Sequence, residues 1–154
     1  MKPFLLKDAV KAIGGRYVGD EAALERVVES VTSDSRNAGP GALFIAFRGS
    51  RVDGHSFIKG CLEGGAVCCV SEREPVPEET PCIVVESSLN AIGALAAWHR
   101  SRFDIPVIGV TGSVGKTTTK EMLAAVLSVR YNTHRTEKNF NNELGVPWTL
   151  LKME

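Results

Sequence analysis

Residues 106–119 read Pro-Val-Ile-Gly-Val-Thr-Gly-Ser-Val-Gly-Lys-Thr-Thr-Thr and join an apolar run to a turn that contains two glycines. The apolar run predicts a buried strand. After the turn, four apolar residues recur at helical spacing and predict a helix: Met122, Leu123, Val126 and Leu127. A strand, a Gly-x-x-Gly-Lys-Thr turn and a helix in this order are typical of a loop that binds phosphate groups at the edge of a parallel sheet.

The chemistry expected of this turn follows from its residue types. Gly112 and Gly115 lack a Cβ, so the backbone can turn tightly and its N–H groups can surround an anion. The N-terminus of the following helix adds about half a positive charge. Lys116, the predicted catalytic residue, is placed to reach the β- and γ-phosphates of a bound polyphosphate, and the Thr117 hydroxyl is the predicted ligand of Mg²⁺.

One position departs from the common phosphate loop. The pattern G-x-x-x-x-G-K-[ST] requires a glycine at position 110, where this chain has valine. The loop is therefore a variant form, and a GTPase or an ordinary ATPase fits it less well. The alternative interpretation is a glycine turn followed by a surface lysine that binds nothing.

Strands and helices alternate along the chain, which predicts an α/β fold with a parallel sheet. Further elements are predicted in order: strands at 27–31, 43–47, 66–70 and 82–86, a helix at 89–102, and a strand at 131–134. Residues 71–81 contain three prolines and four glutamates and indicate a domain boundary. We therefore expect a small α/β domain over residues 1–81, and over residues 82–154 the incomplete start of a parallel-sheet domain that carries the phosphate loop.

Composition excludes several classes of protein. The chain has 154 residues, is 44% hydrophobic, and balances 18 Lys and Arg against 18 Asp and Glu. A packed core is expected, and a basic surface for nucleic acid is not. No apolar run approaches the roughly 20 residues of a membrane helix, and the N-terminus has charged residues where a signal peptide is apolar.

The four cysteines show no CxxC spacing. Cys68 and Cys69 are adjacent and would point to opposite faces of a strand, which is poor geometry for a shared metal ion. Reduced thiols that fill apolar positions are the simpler interpretation. We therefore expect a cytoplasmic protein.

Three stretches of the chain resemble the Mur ligases, the amide-forming ligases of bacterial peptidoglycan synthesis. Residues 111–122 resemble the ATP loop of that family, residues 34–58 its N-terminal UDP-binding domain, and residues 139–147 the segment after the phosphate-loop helix. The motifs occur in order over nearly the whole chain. Lys120-Glu121-Met122 and Asn141-Asn142 resemble the MurF type more than the MurE type.

The resemblance implies an ATP-dependent ligase with three domains, of which this chain would hold the UDP-binding domain and the opening of the ATP-binding domain. The implied reaction adds D-alanyl-D-alanine to UDP-MurNAc-tripeptide through an acyl phosphate and requires ATP and Mg²⁺. The implied location is the cytoplasm. No nucleic acid, membrane span or obligate protein partner is implied.

The resemblance also implies roles for individual residues. The implied ATP-binding residues are Gly112, Ser113, Val114, Gly115, Lys116, Thr117 and Thr118. The implied substrate-binding residues are Ser33, Asp34, Ser35, Arg36, Ser50, Arg51, Val52, Asn139 and Asn142. From the residues alone, Ser33–Arg36 could equally form a polar turn, and Arg51 could be a solvated charge. The asparagines could read peptide groups or belong to a polar loop before a helix.

Other interpretations remain open at this stage. A MurE-type ligase or a folate–glutamate ligase would share the loop chemistry, and a non-catalytic module could bind a UDP precursor or ATP without turnover. His55 is interpreted as a structural histidine, Trp148 as a core residue, and His99 and His134 have no obvious partner. A partial second domain would leave apolar helix faces exposed, which predicts aggregation or poor thermal stability.

Overall fold

The structure of the chain is a computed structural model that describes residues 1–50, 52–137 and 142–154. Its strands are β1 (Phe4–Leu5), β2 (Arg16–Val18), β3 (Val27–Val28), β4 (Ser30–Thr32), β5 (Ala42–Ile45), β6 (Cys68–Ser71) and β7 (Cys82–Val84). Its α-helices are α1 (Leu6–Ile13), α2 (Ile58–Glu63), α3 (Ser88–Ser101), α4 (Lys116–Ser128) and α5 (Gly145–Leu151). Within the described ranges, no helix combines the length and apolar character needed to cross a membrane.

Five strands form one sheet in the order β2-β7-β6-β5-β4. β4, β5, β6 and β7 run parallel, and β2 pairs with β7 in the antiparallel direction. The predicted α/β fold with a parallel sheet is confirmed. β1 and β3 pair separately, so the single strand predicted over residues 27–31 is two short strands that belong to different sheets.

Helices cover the main sheet on both faces. Leu43 and Ile45 of β5 point into the core shared with α1 and α3, whereas Phe44 and Ala46 point into the core shared with α2. This alternation is the period of two that a strand imposes. All four side chains are buried, as expected for a parallel strand in the middle layer of an α/β fold.

The cysteines occupy apolar positions in both cores. Cys68 and Cys69 lie side by side on β6 and pack into opposite cores, as the alternation predicts. All four cysteines are buried free thiols. Burial raises the pKa of the Cys82 thiol to about 12 and raises the pKa of the other three thiols as well. The prediction that the cysteines fill apolar positions is confirmed.

The proline-rich segment 71–81 connects two neighbouring strands and is not a linker. β6 ends at Ser71, β7 begins at Cys82, and the two strands pair with Val70 opposite Ile83. The predicted boundary between residues 81 and 82 falls between two paired strands of one sheet. The division of the chain into two domains stays a prediction.

The second part of the chain lacks the predicted strands. Residues 106–111 and 131–134 form no strand, because the described residues supply no neighbouring strand to pair with them. Val107 and Ile108 are exposed. Helix α4 does form, but Ala124 is its buried residue and its other apolar side chains remain accessible or half-buried.

Helix α5 packs against α3 and brings residues 142–154 to the first part of the chain. Leu151 belongs to the main core. His99 of α3 donates from Nε2 to the Met153 carbonyl at 3.0 Å, and the Lys2 N–H donates to the same carbonyl at 3.1 Å. Burial lowers the pKa of His99, which favours the neutral ring. This contact holds α5 beside the sheet.

Candidate functional site

A groove opens where β4 and β5 end. Because these strands are parallel, the loops after Thr32 and Ile45 leave the sheet at the same edge. The groove has a volume of about 770 Å³ and is lined by Ser33, Asp34, Ser35, Arg36, Phe47, Gly49, Val52, Gly54, Phe57, Leu144 and Trp148. Ligands of open α/β sheets bind outside the carboxyl ends of strands, so the groove is the candidate substrate site.

Ser33–Arg36 form the first wall of the groove. The Thr32 Oγ1 accepts the Asp34 N–H at 3.0 Å, and Asp34 Oδ1 accepts the Arg36 N–H at 3.0 Å. The Arg36 guanidinium also donates to both Asp34 oxygens, at 2.9 and 2.6 Å. These hydrogen bonds lower the pKa of Asp34 to about 2, so the ionised carboxylate holds the guanidinium at neutral pH.

Arg36 is the residue of this wall whose side chain can bind an anion. Its side chain is 87% exposed. A guanidinium has five N–H donors, and Asp34 occupies two of them. The other three can reach phosphate oxygens, whose geometry a guanidinium matches. The polar turn considered as the alternative for Ser33–Arg36 does form, and it is what presents Arg36 to the groove.

The second wall comes from a loop of which the structure describes residues 47–50 and 52–54. The Gly54 N–H donates to the Phe47 carbonyl at 2.9 Å, and the Gly49 N–H donates to the Val52 carbonyl at 3.0 Å. A Cβ on Gly54 would lie 2.8 Å from the Phe47 oxygen. The loop therefore closes only with a residue that has no side chain at position 54.

Of the predicted substrate-binding residues of this loop, one lines the groove and another does not. Val52 lines the groove and is exposed. Ser50 is exposed at the tip of the loop and is not among the lining residues. Arg51 lies outside the described residues.

The third wall is apolar and was missed by the sequence analysis. Phe47 and Phe57 approach from the first part of the chain, and Leu144 and Trp148 approach from the start of α5. Leu144 and Trp148 are four residues apart and so share a face at helical spacing, which is the signal that could have found them. Trp148 also packs against the main core, as predicted.

Asn142, one of the two predicted asparagines, is not among the residues that line the groove. Asn142 Oδ1 accepts the Gly145 N–H at 2.6 Å, so this side chain caps the start of α5. That geometry corresponds to the polar loop before a helix, and a substrate contact of Asn142 stays a prediction. Asn139 lies outside the described residues.

The turn at residues 112–115 enters α4 through two glycines in the left-handed region. Gly112 has φ +145° and Gly115 has φ +80°, conformations that other residues rarely adopt. The Thr119 N–H donates to the Gly115 carbonyl at 2.9 Å and is the first donor of the helix. The N–H groups of residues 115–118 therefore have no acceptor within the helix, and these residues are exposed.

Lys116 folds back over the turn, since its Nζ donates to the Gly112 carbonyl. Ser113, Val114, Thr117 and Thr118 are exposed around it. Four free N–H groups, a helix N-terminus and an ammonium group fit a polyphosphate. A group of three or more His, Cys, Asp or Glu side chains able to hold a metal is absent from the described residues. A Mg²⁺ ion here would take its ligands from Thr117, phosphate oxygens and water.

Two family descriptions match the chain: "Mur ligase family, catalytic domain" over residues 27–131 and "Mur ligase middle domain" over residues 110–154. The chain is 50% identical over 128 residues to the UDP-N-acetylmuramoyl-tripeptide–D-alanyl-D-alanine ligase of Synechocystis sp., covering 82% of this chain and 28% of that protein. It is 41% identical over 154 residues to the ligase of the same name from Bacillus subtilis, covering 97% of this chain and 34% of that protein. The chain thus spans about a third of the length of these relatives.

Solved structures show the same similarity. The crystal structure of MurF from Acinetobacter baumannii superposes with a TM-score of 0.89 at 34% identity, covering 100% of this chain and 34% of that one. MurF from Thermotoga maritima, crystallised in complex with ADP, superposes with a TM-score of 0.74 at 37% identity, covering 80% of this chain and 29% of that one.

Proposed function

Because the chain belongs to the Mur ligase family, we propose that it forms part of an ATP-dependent ligase of the MurF type. The proposed reaction joins D-alanyl-D-alanine to UDP-N-acetylmuramoyl-tripeptide in the cytoplasm, as a step of peptidoglycan synthesis. Relatives that carry this ligase name are 50% and 41% identical to the chain, which favours the MurF type over a MurE-type or folate–glutamate ligase. The four free cysteines agree with a reducing compartment.

The turn at residues 112–118 is the observation that carries the proposal. Its two left-handed glycines and four free N–H groups form an anion site at the start of α4. ATP, when bound there, supplies the phosphoryl group that turns the terminal carboxylate of the tripeptide into an acyl phosphate. Lys116 balances the negative charge of the phosphates, and the Thr117 hydroxyl is the proposed protein ligand of Mg²⁺.

The groove is the proposed site for the UDP end of the sugar nucleotide. Arg36 binds the diphosphate with its three remaining N–H donors, and Asp34 positions Arg36. Ser33 and Ser35 offer hydroxyl groups to the uridine, and the aromatic third wall gives its ring an apolar surface. Ser50, Arg51, Val52, Asn139 and Asn142 are proposed as further substrate contacts on the resemblance alone.

We also propose two functional units in the chain. The first binds the sugar nucleotide and includes the whole sheet together with α3, since β7 completes that sheet and α3 covers it. The second begins with the phosphate turn and binds ATP. The boundary then falls after Ser101, where α3 ends.

The test is phosphate release by the complete ligase with UDP-N-acetylmuramoyl-tripeptide and D-alanyl-D-alanine. We expect Lys116→Ala to lower kcat about 100-fold or more, because one charge-stabilising donor is worth that much in a preorganised site.

Arg36→Ala should raise KM for the sugar nucleotide about tenfold or more while leaving KM for ATP near the wild-type value. Arg16→Ala is the control, because Arg16 pairs with exposed Glu74 and does not line the groove.

The outcomes separate the interpretations. Unchanged turnover in Lys116→Ala overturns the role of the phosphate turn. Binding of UDP and ATP, measured by calorimetry, without any phosphate release by the complete protein would identify a binding module in place of a ligase. Phosphate release that does not depend on D-alanyl-D-alanine would count against the MurF type.

A further inference from the structure

His55 is buried beneath the closed loop of residues 47–54, with 1% of its surface exposed. The loop reaches it through Asp53, whose Oδ1 lies 2.6 Å from the His55 Nδ1 and 3.0 Å from the His55 backbone nitrogen. On the other side of the ring, Nε2 lies 3.0 Å from the Glu72 backbone nitrogen. Both ring nitrogens therefore have partners, one in the loop and one at the end of β6.

The partners fix the tautomer of the ring. A backbone N–H can only donate, so Nε2 of His55 accepts from Glu72 and carries no proton. The proton is then on Nδ1, which donates to Asp53. The hydrogen bonds that Asp53 accepts from His55 lower the pKa of Asp53, so its carboxylate is ionised at neutral pH. We call these two hydrogen bonds, from His55 to Asp53 and from Glu72 to His55, the His55 tie.

The far end of the His55 tie is anchored in the sheet and in α3. Glu72 Oε1 accepts the Ser88 N–H at 2.7 Å, and the Ser88 Oγ donates to the Ala46 carbonyl at 2.6 Å. Ser88 is fully buried. The ring of His55 thus joins the loop to the ends of β5 and β6 and to the start of α3.

The near end of the tie is the base of the loop. Arg48 and Asp53 form an antiparallel bridge at the base of the loop, and the Arg48 Nε lies 3.8 Å from the Asp53 Oδ2. Gly49 and Val52 line the groove. A displacement of Asp53 therefore moves the second wall relative to Arg36 in the first wall.

We propose that His55 is a positioning residue for the sugar-nucleotide groove: through Asp53 it sets the distance between the second wall and Arg36. The proposal rests on the proposed function, since it assumes that the groove binds the sugar nucleotide. His55 itself touches no substrate. The loop is surface-exposed, and the other contacts of Asp53 are local: it accepts from the His55 N–H, the Ser56 N–H and the Ser56 hydroxyl, and it pairs with Arg48.

Two substitutions each keep one hydrogen bond of the His55 ring and remove the other. The amide nitrogen of Asn in His55→Asn can replace Nδ1 and keep the bond to Asp53, whereas the amide of Gln in His55→Gln can replace Nε2 and keep the bond to Glu72. We expect His55→Gln to raise KM for UDP-N-acetylmuramoyl-tripeptide about tenfold in the complete ligase, as for the loss of one hydrogen bond to a charged group. KM for ATP and kcat should stay within about twofold, and His55→Asn should raise KM for the sugar nucleotide less than His55→Gln does.

Tyr17→Phe is the matched control, because it also removes one side-chain hydrogen bond, from the Tyr17 hydroxyl to the Asp20 carbonyl at 2.8 Å, at a residue that lies outside the groove. It should lower the melting temperature without a selective change in KM for the sugar nucleotide. If His55→Gln shows this same pattern, its role is structural and the proposal is wrong. If the His55 variants do not fold, Asp53→Ala, at a half-exposed side chain, should show the selective rise in KM, and an unchanged KM there also overturns the proposal.

The outcome for Arg36→Ala distinguishes this proposal from the proposed function. A wild-type ligase that binds UDP, an Arg36→Ala variant that does not, and a His55→Gln variant that binds UDP as the wild type does would remove only the role of His55. UDP binding that is insensitive to Arg36→Ala would remove the groove assignment itself.

Discussion

The buried carboxylate of Glu79 is paired with the guanidinium of Arg73. Its two oxygens each accept from Arg73 at 2.6 Å, and Oε2 also accepts the Val76 N–H at 3.2 Å. The hydrogen bonds from Arg73 lower the pKa of Glu79. The folded state therefore binds this proton less well than the unfolded state does, so ionised Glu79 stabilises the fold and acid removes that contribution.

We expect Glu79→Gln to lower the free energy of unfolding by about 1–3 kcal/mol at pH 7, because the charge-assisted bonds to Arg73 are lost. The contribution is complete above the unfolded pKa of about 4.3 and disappears as the pH falls through the lowered folded value. Urea unfolding should show a constant difference from wild type between about pH 6 and 8, and a smaller one below about pH 4. Glu78→Gln, at an exposed neighbour, should match wild type, and a difference for Glu79→Gln that persists in acid contradicts this role.

Single residues were predictable where the pattern around them is local. Lys116 and the polar turn at Ser33–Arg36 lie where their immediate neighbours indicate, because a glycine turn or an Asx turn is specified by adjacent residues. His55 and His99 were not assigned partners. Their partners, Glu72 and Met153, are 17 and 54 residues away, and only the tertiary fold brings them together.

The loop of residues 47–54 gives a prediction at the level of the element. A Cβ at Gly54 would lie 2.8 and 2.9 Å from backbone atoms of Phe47, whereas a Cβ at Gly60 in α2 meets nothing within 4 Å. Gly54→Ala should therefore cost about 1–3 kcal/mol of stability through overpacking. Gly60→Ala should leave stability unchanged or raise it by up to about 1 kcal/mol, as expected for a helix interior.

Urea unfolding curves of the two variants, compared with wild type, measure both effects. Equal stability of Gly54→Ala and Gly60→Ala would show that the loop relaxes around a side chain at position 54. In that case the close approach to Phe47 does not define its conformation.

Secondary-structure elements were predictable where their own residues determine them. The apolar runs at 43–47 and 66–70 contain most of β5 and most of β6, because a run buried on both faces belongs to a central parallel strand. The run at 106–111 is also largely apolar and forms no strand, because pairing depends on a neighbouring strand and not on the run alone. The prolines of segment 71–81 indicate a break in regular structure, but a loop and a linker share that signal.

In the second part of the chain, after α3, several apolar side chains are exposed. Met122 is 65% exposed and Val126 is 72% exposed on α4, and Val107, Ile108 and Val129 are exposed as well. Apolar patches of this kind drive association. The expected exposure of apolar helix faces is confirmed, and the aggregation that it implies stays a prediction.

We expect the 154-residue chain to self-associate in sedimentation velocity, and Met122→Lys with Val126→Lys to reduce that association, because both charges interrupt the patch. Val76→Lys, at an exposed valine of the first part, is the control and should associate as the wild type does. A chain that is monomeric and melts sharply without these substitutions would contradict the prediction.

The placement of Trp148 gives the molecule a built-in optical probe. The chain has two tryptophans. Trp148 borders the groove, whereas Trp98 is stacked under the Arg102 guanidinium, with 5.0 Å between its ring centre and Arg102 Cζ. If the groove binds a nucleotide as proposed, binding changes the solvation of Trp148 and not of Trp98. Intrinsic fluorescence then follows occupancy without a label, and the Trp148→Phe variant is the control that lacks this signal.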